Sequence, residues 1–209
     1  MTAYRSIAAL LGWFALVLQY WLMMNADAPT DPFNRTLNFF SYFTILTNIL
    51  AALAMSAPLI APNSALGRFF DRPPVRTAIA TYIIVVGVTY HLLLRDLWDP
   101  QGWQKIADYA LHYGTPVLFV FDWLLFVATR NIPWATAFKA LAFPLIYLGW
   151  TLYHGSWSGF YPYPFVDISK LGIEKVIINS GGMTAAFLVL CLVMIGLGKL
   201  LAALFGSRT

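Results

Sequence analysis

Long uncharged stretches, separated by short polar links, dominate the pattern of hydrophobic and polar positions along the chain. Four stretches carry no charged residue: 6–24, 36–61, 77–94 and 176–198. Two more carry a single charge each: 109–129, with Asp122, and 133–153, with Lys139. A helix crosses the hydrocarbon core of a bilayer with about 20 apolar residues. The pattern therefore predicts an all-α, polytopic membrane protein with six transmembrane helices.

The six predicted helices fill most of the chain and leave only short links between them. The spans are placed at residues 6–24, 38–60, 76–95, 108–129, 133–154 and 176–198. No internal repeat and no low-complexity linker separates them, so residues 1–209 are predicted to form one domain. The first run, followed by Ala26-Asp27-Ala28, also resembles a signal peptide with its cleavage site. We favour a membrane helix, because the usual signal core has only about 7–15 residues.

Composition agrees with a membrane protein and excludes other classes. Charged residues make up 11% of the chain, against about 25% in a soluble domain. The formal net charge is +4, and the basic residues are scattered through the loops, which does not indicate a nucleic-acid partner. Cys191 is the only cysteine, so the chain cannot form an intrachain disulfide.

The loops on the two sides of the predicted membrane differ in charge. One side has a single acid, Asp71, and eight basic residues: Arg5, Arg68, Arg72, Arg76, Arg130, Lys139, Lys199 and Arg208. The other side has five basic residues: Arg35, Arg95, Lys105, Lys170 and Lys175. It also has seven acids: Asp27, Asp31, Asp96, Asp99, Asp108, Asp167 and Glu174. Because basic loops stay in the cytoplasm, both termini are predicted to be cytoplasmic.

Polar side chains recur at helical spacing on two of the predicted spans. The second span carries Asn38, Ser41, Thr44 or Thr47, and Asn48. The fourth span carries Asp108, His112, Thr115 and Asp122. Such stripes face protein or water rather than lipid. Pro116 cannot donate to the carbonyl of His112, so the fourth helix is expected to bend there.

The direction of each helix places one set of polar residues at a common depth. Thr44, Asn179 and the three histidines, His91, His112 and His154, all fall in the outer half of the predicted bundle. In the cytoplasmic half, Asp122 and Lys139 are expected to pair with each other, because an unpaired charge inside a membrane is costly.

The outer group has the chemistry of an activated nucleophile. A threonine hydroxyl reacts only when a base takes its proton, and a histidine can do so at neutral pH. Asp108, one turn before His112, is expected to orient the ring of that histidine. Candidate donors to an oxyanion are Asn48, Asn179 and the tyrosines. The residues predicted to bind substrate or the oxyanion are Asn48, Thr47, His91, His154, Asn179, and Tyr161 and Tyr163 of GFYPYPF, at the mouth of a pocket. A pocket open to lipid tails suits an acyl ester.

Three passages, in this order, resemble a known family: YFTILTN (42–48), LHYGTPVLFVFDWLLF (111–126) and YHGSWSGFYPYPFVD (153–167). The family is the six-pass membrane family of the androgen-induced gene protein and the androgen-dependent TFPI-regulating protein, here in its bacterial form. The resemblance implies a hydrolase of the inner cell membrane that cleaves fatty acid esters of hydroxy fatty acids without a cofactor. The nucleophile falls on Thr44 and its partner on His112. Thr47 offers a second hydroxyl, which is the alternative nucleophile.

Two other functions remain open from the sequence. His91, His112 and His154 are the right residue type for a three-histidine metal site with water at the open position, although they lack local ligand spacing. The same polar pocket would also suit a lipid-binding protein or a small transporter without chemistry of its own. In either case the expected partners are lipids.

Overall fold

The computed structural model describes residues 1–27, 30–128 and 131–206. These residues form helices and turns, with no strand among them. The first seven helices are α1 (Thr2–Met24), α2 (Pro32–Phe40), α3 (Phe43–Ile60), α4 (Ala65–Phe70), α5 (Pro73–Thr89), α6 (Gly102–Tyr109) and α7 (Thr115–Phe126). The rest are α8 (Ala135–Ala140), α9 (Ala142–Ser158), α10 (Ile168–Leu171) and α11 (Ile173–Phe205). The prediction of an all-α protein is confirmed for the described part of the chain.

Five helical segments are long and apolar enough to cross a membrane: Thr2–Met24, Phe43–Ile60, Pro73–Leu97, Ala135–Ser158 and Ile173–Phe205. They make the chain a polytopic helical membrane protein, and each overlaps one of the predicted spans. The predicted fourth span is helical as well, from residue 102 to 126, but it is not one of the five. Thr129 at its end, and the loop residues Arg130 and Arg208, lie outside the described residues.

The predicted second span is not one continuous helix. α2 ends at Phe40, Tyr42 is extended (φ −84°, ψ 125°), and α3 begins at Phe43. Side chains of α9 hold this break: Tyr147 donates to the carbonyl of Ser41 (2.9 Å), and Trp150 Nε1 donates to the Ser41 hydroxyl (3.0 Å). The expectation of one polar stripe from Asn38 to Asn48 along a single helix was therefore wrong, because the helix is broken at Ser41 and Tyr42.

An aromatic cluster fixes the start of α3. The ring of Phe43 packs against Tyr147 (centroids 5.0 Å apart), Phe143 (5.3 Å) and Phe187 (5.5 Å). These contacts join α3 to α9 and α11. They hold in place the first turn of α3, which includes Thr44.

Two π-helical turns interrupt the bundle at the same level. One, Tyr90–Leu94, follows α5, and the other, Ala110–Gly114, joins α6 to α7. The second lies where Pro116 was expected to disturb the helix. α5 and the second turn approach closely at Gly87, where an added Cβ would lie 3.1 Å from the carbonyl oxygen of His112. π-Helical turns occur frequently at functional sites.

A buried ion network lies at the end of the bundle opposite to the two π-helical turns. Asp122 Oδ1 accepts from Arg5 Nε (2.7 Å), and Asp122 Oδ2 accepts from Arg76 Nη2 (2.5 Å). The predicted pair of Asp122 with Lys139 was wrong: Lys139 is exposed on α8. The carboxylate pairs with α1 and α5 instead, because their arginines are buried beside it and themselves need a counter-charge.

Candidate active site

Thr44 and His112 meet at the interface between α3 and the second π-helical turn. Thr44 Oγ1 lies 3.4 Å from His112 Nε2. The threonine is buried, and the histidine side chain is 14% exposed. The distance is long for an O–H···N bond, as is common for catalytic hydrogen bonds before substrate binds. The two side chains are in position for proton transfer from the hydroxyl to the ring.

The other ring nitrogen of His112, Nδ1, is held by Asp108. His112 Nδ1 lies 2.9 Å from the carbonyl oxygen of Asp108 and 3.2 Å from its Oδ1. Both of these atoms are acceptors, so Nδ1 carries the ring proton and Nε2 presents its lone pair to Thr44. The geometry is that of a nucleophile, a base and an orienting carboxylate.

Tyr90 completes this arrangement and was missed in the sequence. Its ring stacks on that of His112, with centroids 3.9 Å apart, and its hydroxyl donates to Asp108 Oδ2. Tyr90 thus restrains both the base and the carboxylate behind it. No sequence signal distinguished it from the other tyrosines, because its role depends on the packing of the first π-helical turn against the second.

The break before α3 places Thr44 at the N-terminus of a helix. Thr44 is the second residue of α3, and the first N–H groups of a helix have no partner within it. Its amide donates to the Tyr163 hydroxyl (3.1 Å), and its Oγ1 lies 3.2 Å from the same oxygen. The partial positive charge at a helix N-terminus stabilises an anion. Negative charge developing next to Thr44 is therefore favoured.

Tyr163 reaches Thr44 from the loop before α10. Its ring stacks on Phe165 (centroids 5.3 Å apart), and Asn179 Nδ2 donates to the Phe165 carbonyl (2.9 Å). Burial raises the pKa of Tyr163 to about 12, so the hydroxyl keeps its proton at neutral pH. Asn179 thus supports the loop that carries Tyr163, rather than lying beside Thr44 itself.

The remaining residues predicted to bind substrate or an oxyanion lie elsewhere in the structure. Asn48 donates from Nδ2 to the carbonyls of Thr44 (2.8 Å) and Leu111 (3.1 Å), which engages both of its amide hydrogens. It therefore ties α3 to the second π-helical turn. Thr47 is fully buried without a hydrogen-bond partner for its hydroxyl among the described residues. Tyr161 packs against Gly155 of α9.

The three histidines do not come together. His91 is exposed, with Nδ1 3.1 Å from the Tyr113 hydroxyl and Nε2 3.1 Å from Arg95. His154 is fully buried, 3.1 Å from the Ser41 hydroxyl and stacked on Trp150. Within the described ranges, no group of three His, Cys, Asp or Glu side chains is arranged to hold a metal ion. The three-histidine metal site thus lacks the geometry it requires.

Thr44 opens onto two cavities. One, of about 430 Å³, also contains His112, Asp108 and Tyr90 in its wall. The other, of about 80 Å³, extends between α5, α9 and α11. Thr44 and Tyr163 line both. The two cavities therefore share part of their wall at Thr44 and Tyr163.

Comparison of the chain with protein-family models, with curated proteins and with solved structures found no match.

Proposed function

We propose that this protein is an intramembrane lipid ester hydrolase with Thr44 as nucleophile and His112 as base. The observation that supports this most strongly is the chain of contacts from Thr44 Oγ1 to His112 Nε2, and from His112 Nδ1 to Asp108. Structural threonines in membrane helices usually bond their own backbone. Thr44 instead points its hydroxyl at a histidine and a tyrosine, beside open space.

The proposed reaction has two halves. In the first, Thr44 Oγ1 attacks the acyl carbonyl while His112 Nε2 takes the hydroxyl proton. The tetrahedral oxyanion is stabilised by the N-terminus of α3 and the Tyr163 hydroxyl. The carbon–oxygen bond to the alcohol then breaks, and His112 returns the proton to the departing oxygen. In the second half, water attacks the acyl-threonine, with His112 again acting as base, and releases the fatty acid.

The membrane setting supports a lipid substrate. We propose six membrane passes, with Gly102–Phe126 as the fourth, and both termini in the cytoplasm. This orientation puts the network of Arg5, Arg76 and Asp122 on the cytoplasmic side and Thr44 in the outer half. The resemblance described above supports esters of hydroxy fatty acids as substrates and a bacterial inner membrane as the location.

A lipid-binding protein without chemistry is the second candidate. The two cavities favour it, since they would hold a lipid whether or not Thr44 reacts. An ester that co-purifies with the wild-type protein and stays intact would support this function over hydrolysis.

Ester cleavage by purified protein in detergent tests the proposal. Thr44→Ala and His112→Ala should each lower kcat/KM by at least about 1,000-fold, because either one removes the nucleophile–base pair. Thr47→Ala is the matched control, since Thr47 is also a buried hydroxyl on α3 and lines neither cavity. Full activity in Thr44→Ala would show that the mechanism is wrong.

A further inference from the structure

The two cavities beside Thr44 differ in volume and in the polar groups of their walls. The narrow cleft is the 80 Å³ cavity between α5, α9 and α11, lined among others by Val86, Leu148 and Met183. The wide cavity is the 430 Å³ cavity that contains His112. We infer that the acyl chain of the ester binds in the narrow cleft and its alcohol part binds in the wide cavity. The inference rests on the proposed hydrolase function.

The position of the base is the first argument. His112 and Asp108 line the wide cavity but are not part of the wall of the narrow cleft. In acyl transfer, the base that takes the nucleophile's proton must later give it to the leaving oxygen. The leaving oxygen therefore lies on the same side of Thr44 as His112 Nε2. The alcohol attached to that oxygen extends into the wide cavity.

The acyl chain then takes the remaining direction. A carbonyl carbon attacked by Thr44 carries the leaving oxygen on one side and the chain on the other. With the wide cavity filled by the alcohol, the narrow cleft is the space left for the chain.

The walls agree with this assignment. Six of the sixteen residues that line the narrow cleft carry a hydroxyl, and the other ten are apolar, with no amide or charged side chain among them. The wide cavity includes Gln19 and Gln104, which bond to each other (2.7 Å), in addition to Asp108. A bulky alcohol that carries a polar group of its own finds hydrogen-bond partners in the wide cavity. A plain hydrocarbon chain has no polar group that could use them.

Two ester series tested on three variants separate the two ends of the substrate. One series varies the acyl chain from 4 to about 18 carbons on a fixed alcohol, and the other varies the alcohol on a fixed short acyl group. Met183→Phe narrows the cleft from α11, at a half-buried position that tolerates a larger ring. Leu22→Phe narrows the wide cavity from α1. Val193→Phe, exposed on α11 and outside both cavities, is the control.

Met183→Phe should lower the ratio of kcat/KM for long acyl chains to that for short ones, by about fourfold for each methylene displaced. It should leave the preference among alcohols unchanged. Leu22→Phe should alter the preference among alcohols and leave the acyl preference unchanged, and Val193→Phe should alter neither. Leu148→Phe repeats the cleft test from α9 if Met183→Phe does not fold.

A failure of the proposed orientation can be distinguished from a failure of the proposed hydrolase function. Active protein in which Met183→Phe and Leu148→Phe change only the alcohol preference would overturn the orientation and leave the hydrolase function intact. Wild-type protein that cleaves none of the esters would overturn the function and this inference with it.

Discussion

Replacement of Asp122 by asparagine tests how the bundle is held together. The carboxylate is fully buried and accepts from Arg5 and Arg76, whose side chains are only 4% and 1% exposed. Asp122→Asn keeps the volume but leaves the buried Arg76 guanidinium without a counter-charge, and leaves Arg5 only its longer contact (3.5 Å) with the exposed Asp71. Removing one partner of a buried ion pair costs about 3–5 kcal/mol. At about 2–4 °C per kcal/mol for a chain of this size, Tm should fall by on the order of 10 °C.

Cys191 supplies the assay. It is the only cysteine, and it is fully buried, so a fluorogenic thiol reagent labels it only when the bundle opens. Thermal scans in detergent then report Tm directly. Lys139→Met is the control, because Lys139 is exposed and its loss should change stability by less than about 0.5 kcal/mol. Equal Tm values for wild type and Asp122→Asn, or a large loss in Lys139→Met, would refute this reasoning.

Three further variants address the active site, each measured as kcat and KM on a lipid ester. Tyr163→Phe should lower kcat about 100-fold through loss of an oxyanion donor, whereas Tyr161→Phe, which lines neither cavity, should retain activity; equal effects would remove Tyr163 from the mechanism. Tyr90→Phe keeps the ring stack but loses the bond to Asp108, so kcat should fall about tenfold with KM unchanged. A rise in KM alone would instead make Tyr90 a substrate contact. Asn48→Ala should reduce stability as well as activity, since Asn48 joins α3 to the second π-helical turn; unchanged Tm would contradict that role.

Hydropathy accounts for most of the fold. Five of the predicted spans coincide with apolar helices, because burial in lipid requires long runs of apolar residues whatever their packing. The break at Ser41 and Tyr42 could not be predicted in this way. The local sequence there contains neither proline nor glycine, and the break is stabilised by Tyr147 and Trp150 from a helix about 100 residues later.

Contacts between side chains that are far apart in the sequence could not be predicted either. Lys139 was predicted as the partner of Asp122 because these two were the charges placed inside the cytoplasmic half of the bundle, whereas Arg5 is 117 residues away in the sequence. The predicted depth of a residue within the membrane was more informative than the predicted pairing of charges. It places Thr44 and His112 at one level, and the structure brings them into contact. It does not give the direction of a side chain, and for that reason His91 and His154 were grouped with residues that they do not touch.

Labelling of detergent-solubilised protein with a lipid-like fluorophosphonate, followed by peptide mapping, tests the central claim most directly. An activated hydroxyl displaces fluoride from the probe and keeps the phosphonyl group. The account predicts one modified residue, Thr44, and loss of that modification in His112→Ala with the Tm unchanged. Modification of Thr47 instead, labelling of Thr44 that persists in His112→Ala, or a folded wild-type protein that takes up no probe would contradict it.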